Sequence, residues 1–342
     1  MPPTQALAAD RPSSAPAREV PTRPVLSIVT TLFNSAGTIR SFYDRMVAAA
    51  ETLTAGFELI MVDDGSPDSS LAAAIEIAEG DPRVKVIELS RNFGHHKALM
   101  TGMMHAAGEY CFLIDSDLEE DPALLAVFWQ KLQGSGMDVV YGYQSARAGS
   151  GFRRVSGRLA YALIAALIPY KIPRNHITVR LMRRDYMESL LLHKEQQTVI
   201  GGLWVITGYR QTGIAVDKLS RSETTYSFRR RWSLLLDSIT SFSELPLVAI
   251  FYVGIGISAL SVLVGVTLIA LRVWIDIAIA GWISVMLSVW FLGGLAIFCI
   301  GVIGIYIAKI FIETKGRPYT IVRMVHRFGS PDGGPESYGG RS

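Results

Sequence analysis

Two short acidic runs carry the chemistry of this chain, Asp63-Asp64-Gly65-Ser66 and Asp115-Ser116-Asp117-Leu118-Glu119. Each follows an apolar run, so each sits where a strand gives way to a loop. If the strand before Asp115 stays extended through Asp117, residues two apart point the same way, and Asp115 and Asp117 address one ligand together. Carboxylates are hard oxygen ligands suited to Mg2+ or Mn2+, and such an ion neutralises charge building on a departing diphosphate. Asp63 or Asp64 is placed to accept hydrogen bonds from a base or ribose. These groups therefore suit metal-assisted cleavage of a nucleotide diphosphate. One acidic cluster after a strand would mean little, because an Asp there commonly caps the next helix, a role open to Asp68. Two clusters at one sheet edge repel each other unless a cation or hydrogen-bond donor joins them.

The elements that must position these groups alternate. Val25–Leu32, Phe57–Val62, Val84–Leu89 and Glu109–Ile114 read as strands, with helical patterns over Ala36–Leu53, Asp68–Glu79 and His95–Ala107 between them. Strands alternating with helices of this length predict βαβ units and a mainly parallel, Rossmann-like sheet. Ligands of such sheets sit beyond the carboxyl ends of the strands. The residues to inspect are thus Phe33 and Asn34 after the first strand and the two acidic runs after the second and fourth. His95 and His96 open a helix at the same edge and are candidates to touch sugar or diphosphate, or to bond the backbone there.

Charge divides the 342 residues into two populations: from Pro246 to Ala308 only Arg272 and Asp276 are charged, and the remaining 279 residues are about 22% charged. Ordinary soluble domains carry about 25%. The net charge is only +3. This pattern excludes a small disulfide scaffold, a wholly disordered chain and a fully soluble globular protein. The uncharged stretches 246–271 and 277–308 each exceed the ~20 residues a helix needs to cross ~30 Å of hydrocarbon. They predict a transmembrane hairpin with the connector 272–276 and Trp274 near the interface. Arg229, Arg230 and Arg231 precede the hairpin and Lys309, Lys315, Arg317, Arg323 and Arg327 follow it, which by the positive-inside bias puts both termini in the cytoplasm.

The expected organisation is a disordered tail over residues 1–24, a catalytic domain over 25–227, an interfacial amphipathic helix over 228–245, the hairpin over 246–308 and a cytoplasmic tail over 309–342. No secretory signal pattern opens the chain, so the catalytic domain is expected to stay in the cytoplasm. Cys111 and Cys299 have no metal-ligand spacing and are expected to be packing residues.

The runs Asp63–Ser66, Leu89-Ser90-Arg91-Asn92-Phe93-Gly94-His95, Asp115–Glu119 and Arg180-Leu181-Met182, followed by the hairpin, resemble the family-2 glycosyltransferases that act on polyprenyl phosphates, such as dolichol-phosphate mannose synthases and undecaprenyl-phosphate glucosyltransferases. The resemblance runs from about Val25 to Phe328. It implies a GT-A fold, a divalent metal at the Asp115-Ser116-Asp117 element and inversion at the anomeric carbon. Position by position, it implies Asp117 as the leading metal ligand, with Asp115 and Glu119 beside it. It places Asp64, or else Asp63, near the base. It implies that Thr31, Phe33, Asn34 and Ser116 line the nucleotide-sugar site. Arg147 and Arg221 resemble the basic residues around the phosphates and would act in catalysis with Asp115 and Asp117. Relatives usually carry Pro-x-Tyr-Asn-Glu after the first strand, whereas this chain reads Thr31-Leu32-Phe33-Asn34-Ser35, and Ser222 stands at a usual glycine.

Two basic amphipathic stretches, Phe152–Tyr170 with Arg153, Arg154 and Arg158, and Phe228–Leu245 with Arg229–Arg231, have the composition of helices lying in a membrane interface. The alternatives are a core helix for the first and a simple positive anchor for the second. A lipid phosphate as acceptor explains the lack of an evident general base, since a phosphate monoester with a second pKa of about 6 is largely dianionic at neutral pH. Arg147, Arg153, Arg154 and Arg221 would then position the acceptor phosphate.

The leading expectation is an enzyme of the inner membrane that moves one sugar from a nucleotide carrier to undecaprenyl or a similar polyprenyl phosphate, for cell-wall or surface-glycan modification. The competing expectations are a processive polysaccharide synthase, disfavoured because no Gln-x-x-Arg-Trp precedes Trp232, and a catalytically inactive membrane scaffold with the same fold. Expected partners are the nucleotide diphosphate sugar, the polyprenyl phosphate, the bilayer and, by family resemblance, a flippase. Gly254, Gly256, Gly293, Gly294, Gly301 and Gly304 permit close helix packing, including with a second copy of the chain. Nucleic acid is not an expected partner.

Overall fold

The computed structural model describes residues 23–144, 176–196, 200–217, 245–275 and 281–328. The N-terminal half alternates as expected: β1 (Leu26–Leu32), α1 (Ile39–Glu51), β2 (Phe57–Asp63), α2 (Ser70–Gly80), β3 (Val84–Leu89), α3 (His95–Met104) and β4 (Tyr110–Leu113). There follow α4 (Leu124–Ser135), β5 (Val139–Tyr143), β6 (His176–Arg183), α5 (Arg184–Leu191), α6 (Ile200–Ile206) and β7 (Gln211–Ala215). Two long helices, α7 (Leu245–Ile275) and α8 (Trp282–Thr314), and a final strand β8 (Val322–Arg327) complete the described chain.

The eight strands form one sheet in the order β7-β5-β6-β4-β1-β2-β3-β8. β1 pairs parallel with β2 and β4, β2 with β3, and β5 with β7. β6 runs against β4 and β5, and β8 against β3. Strand residues alternate between two cores. Ile28, Leu59 and Phe112 face α1, α2 and α4 through Phe42, Ala74 and Phe128, whereas Val29, Ile60 and Leu113 face α3, α5 and α6 through Leu99, Tyr186 and Leu203. This period of two on a sheet covered on both faces leaves every residue of β1 buried. Cys111 lies fully buried in the second core. The chain leaves β1 toward β2 and β3, then crosses to β4 on the other side of β1, so the direction of winding switches between β1 and β4. Their carboxyl ends form the crevice where such folds bind ligands.

The long helices differ in extent from the hairpin read in the sequence. α7 continues through Ile275, so most of the expected connector is helical, and α8 continues past Ala308 to Thr314. At 1.5 Å per residue each helix is roughly 45–50 Å long. Ser288–Thr314 is long and apolar enough to cross a membrane, and its most apolar 18-residue stretch has a mean hydropathy of 2.5 with none of that stretch buried.

The segment expected as a tail after residue 309 holds the end of α8 and the edge strand β8. β8 was not anticipated because six residues of mixed burial give little periodic signal, and its pairing partner β3 lies more than two hundred residues away. Besides the β3–β8 pairing, several contacts join this segment to the domain. The Ser90 amide donates to the Ile321 carbonyl at 2.9 Å. The Gln196 amide donates to both Glu313 carboxylate oxygens at 2.9 and 3.0 Å, and its side chain donates to the Arg317 carbonyl at 2.7 Å. Arg323 pairs with Glu88 at 3.0 Å.

Candidate active site

Backbone constraints set the crevice before any side chain acts. Gly65 has φ +66°, and a Cβ there would lie 2.6 Å from the Asn92 amide nitrogen, so only glycine admits this approach of the β2 loop to the β3 loop. Asn34 and Leu118 also have positive φ, 57° and 60°. Asn tolerates that region, whereas Leu rarely enters it, which marks the turn after β4 as held by its surroundings.

The acidic run after β2 serves mainly to bind its neighbours. Asp64 accepts the amides of Phe93 at 2.7 Å and Gly94 at 2.9 Å, fixing the loop that starts α3. Burial pushes its carboxyl above the ordinary value while these two amides pull it back. Asp63 accepts the Ser66 amide at 3.3 Å, and burial raises its carboxyl too. Its Oδ1 is buried with no hydrogen-bond partner among the described residues. Asp68 is not the N-cap of α2, which is Ser69, but it precedes that position and accepts the Ser70 amide at 3.1 Å and the Ala36 amide at 3.1 Å.

The run after β4 does not stay extended. β4 ends at Leu113, Ser116 and Asp117 lie in a turn, and Asp117 Oδ1 accepts the Glu119 amide at 2.9 Å. Asp115 and Asp117 therefore share a tight turn rather than one strand face. Ser116 is buried between them and donates to the Thr31 carbonyl at 2.8 Å, with the Ser35 hydroxyl 3.1 Å away. The Ser35 amide donates to Ser70 Oγ at 2.8 Å, so β1, β4 and α2 meet at one hydrogen-bonded knot.

His95, the first residue of α3, faces this turn. Its Nδ1 lies 2.9 Å from Thr31 Oγ1 and its Nε2 3.5 Å from Asp115 Oδ1. Desolvation holds the imidazole below its ordinary value, while Asp64 and Asp117 pull the other way. Thr31, Phe33, Asp64, Asn92, Gly94 and His95 line a depression beside the turn, with Phe33 half-exposed at its rim. The structure thus gathers Thr31, Phe33, Asp64, Asp115, Ser116 and Asp117 at one edge. Asn34 lies in the adjoining loop, Asp63 is buried behind it, and Glu119 is buried just past the turn. Asn92 and His95 join the lining without having been assigned a definite role. Their signal was the run Leu89–His95, visible in sequence but silent about which side chains face the crevice.

Arg180 on β6 is fully buried, its guanidinium carbon 3.0 Å from the centre of the Trp204 ring, and burial pushes its pKa down to about 9. It pairs in register with Leu113, the last residue of β4, and with Tyr141 of β5. Arg147, Arg153, Arg154 and Arg221, expected around the phosphates, lie outside the described residues, as do most of the two basic amphipathic stretches.

No group of three or more His, Cys, Asp and Glu among the described residues is drawn together tightly enough to form a ready metal cage. The donor set nevertheless fits Mg2+ or Mn2+. Asp115 has a side chain 24% exposed, Asp117 adjoins it in the same turn, and ions of this kind are held by one or two carboxylates with the remaining positions filled by substrate phosphates and water.

A doubly wound, mainly parallel sheet with a carboxylate turn at its switch point is the arrangement of the GT-A fold. Residues 27–191 match glycosyl transferase family 2. A Mycobacterium tuberculosis protein bearing a glycosyltransferase name is 50% identical over 301 residues, covering 88% of each chain. The prophage bactoprenol glucosyl transferase homolog of Escherichia coli is 30% identical, covering 88% of this chain and 99% of its own. The bactoprenol glucosyl transferase of Shigella phage SfII is 31% identical, covering 90% and 99%. The chain belongs to glycosyl transferase family 2.

Proposed function

We propose that this glycosyltransferase moves a single sugar from a nucleotide diphosphate sugar to a polyprenyl phosphate, of the undecaprenyl type, with inversion at the anomeric carbon. The observation that carries this reading is the physical joining of the crevice domain to α8. An apolar helix fit to cross a membrane ends in a strand of the same sheet that builds the carboxylate turn, so the site is held close to where lipid phosphates lie. The relatives named bactoprenol glucosyl transferase support the same acceptor.

In this reading Thr31, Phe33, Asn34, Asp63 and Asp64 shape the nucleotide pocket, and Asp115, Ser116 and Asp117 face the diphosphate. Asp117 and Asp115, with Glu119 behind them, would hold Mg2+ or Mn2+, which supplies charge neutralisation to the departing diphosphate. An oxygen of the acceptor phosphate attacks the anomeric carbon from the face opposite the diphosphate. The bond from that carbon to the diphosphate oxygen breaks, and its electron pair leaves with the nucleotide. Because the acceptor oxygen is already ionised, no side chain has to remove a proton. Arg147, Arg153, Arg154 and Arg221 position the acceptor phosphate and screen the charge that meets at the site.

The same proposal places α7 and α8 as a membrane hairpin of the inner membrane, the catalytic domain and both termini on the cytoplasmic side, the interfacial stretch 228–245 against the bilayer, and a flippase downstream to carry the product across. A screen of nucleotide sugars with full-length protein in detergent, Mn2+ or Mg2+ and polyprenyl phosphate tests it. Nucleotide release from at least one donor that depends on the polyprenyl phosphate is expected. Release that is absent for every donor, or indifferent to the lipid, would overturn the reading.

A further inference from the structure

We propose that His95 is a positioning residue for the Asp115-Ser116-Asp117 turn: it braces Asp115 from the start of α3 and thereby sets the affinity of the turn for its divalent cation. The inference rests on the reading of this turn as the cation and diphosphate site, and it assigns a role to a side chain that the motif itself does not contain.

The geometry comes from three elements. Asp64 pins the amides of Phe93 and Gly94, and Gly94 at φ +100° makes the bend, so the first residue of α3 has a fixed origin. From there the imidazole spans β1 and β4, with Nδ1 on the Thr31 hydroxyl at 2.9 Å and Nε2 facing Asp115 Oδ1 at 3.5 Å. A neutral ring has one N–H and one lone pair. In the tautomer that carries its proton on Nε2, the N–H faces the carboxylate and Nδ1 accepts from the Thr31 hydroxyl. Thr31 is in turn bound through its carbonyl to Ser116. Asp115 and Ser116 are therefore both referred to Thr31, one through His95 and the other directly. Such a loop restricts the rotation of the Asp115 carboxylate before any cation arrives, and outer supports of this kind change metal affinity by about 10–100-fold.

The two contacts can be separated by substitution, since Asn reaches about as far as Nδ1 and Gln about as far as Nε2. Mn2+ affinity of the full-length protein is measured by electron paramagnetic resonance for wild type, His95→Ala, His95→Asn and His95→Gln, with the melting temperature of each variant as a folding control. Ala and Asn are expected to weaken Mn2+ binding about tenfold, and Gln to restore most of it, with melting temperatures close to wild type. Mn2+ affinities within twofold of wild type for Ala would overturn the proposal, as would Asn and Gln variants that behave alike, or a wild type that binds no Mn2+. A wild type that binds Mn2+ through this support yet transfers no sugar to lipid phosphate would overturn the proposed function and leave the role of His95 intact.

Discussion

Thr101 on α3 and Thr320, just before β8, share a hydrogen bond of 2.8 Å between their hydroxyls across 219 positions of sequence. The same helix opens at His95 beside the carboxylate turn, and the same segment continues back into α8. Lys97, one turn before Thr101, reaches Gln196 at 3.2 Å and lies 5.0 Å from the centre of the Tyr319 ring. Gln196 in turn holds Glu313 and the Arg317 carbonyl. The helix that fronts the crevice is thus fastened to the end of the helix fit to cross a membrane.

Loosening this fastening should affect use of the lipid acceptor more than use of the donor. Gln196→Ala removes the side-chain links to Lys97 and Arg317 without touching the crevice. Transfer to polyprenyl phosphate is expected to fall severalfold while nucleotide affinity stays within twofold, read by paired transfer and nucleotide-binding titrations. Equal loss in both would show that Gln196 serves only to stabilise the domain.

Gly65→Ala should damage the site through the backbone. The residue needs a positive φ, and its Cβ would press on the Arg91–Asn92 peptide, which cannot swing aside as a side chain can. A left-handed non-glycine residue costs about 1–3 kcal/mol before the clash is added. A melting temperature lowered by several degrees, together with weaker nucleotide binding, is the expected result. An unchanged melt would mean the two loops are not held as described.

Asp81 supplies a pH-dependent element far from the chemistry. It is buried, which works against ionisation, but it accepts Arg83 Nε and Nη2 at 2.9 and 2.8 Å, the Arg83 amide at 2.9 Å and the Tyr43 hydroxyl at 2.9 Å, and these hold its carboxyl below the ordinary value of 3.8. A lowered folded pKa stabilises the fold at pH values above 3.8, and that contribution fades as pH falls below it through the folded value. Asp81→Asn is expected to cost about 1–2 kcal/mol at neutral pH, with the difference from wild type shrinking below about pH 4 in denaturant titrations.

Asp115→Asn and Asp117→Asn should each remove catalysis while sparing the fold, because both side chains lie in a turn at the sheet edge and neither belongs to the two cores. Loss of several kcal/mol of charge stabilisation corresponds to about a hundredfold or more in kcat. Chelation of the divalent cation should reproduce the effect in wild type and add little in the variants. Full activity in either variant would remove that residue from the site.

The N-terminal half of the fold was legible in the sequence because burial on both faces of a parallel sheet writes continuous apolar runs, as in Val25–Leu32, separated by amphipathic helices such as Ile39–Glu51 with Phe42 and Met46 facing inward. The carboxylates were legible for the same reason, since they interrupt those runs. What the sequence did not show was orientation after a strand ends. The turn at Ser116–Asp117, the use of Asp64 as a clamp on Phe93 and Gly94, and the bracing of Asp115 by His95 all depend on contacts between residues tens of positions apart. β8 was missed because a strand that completes an edge after two long apolar helices is defined by its partner, Val84–Leu89, more than by its own pattern.

The proposed acceptor is a lipid phosphate that receives a single sugar. Mass analysis of the lipid extracted from vesicles containing undecaprenyl phosphate, the full-length protein, Mn2+ and the donor identified by screening tests it most directly. A polyprenyl phosphate heavier by one sugar residue is expected, formed by wild type and missing with Asp117→Asn. A product carrying several sugars, or sugar recovered only in water-soluble form, would contradict it.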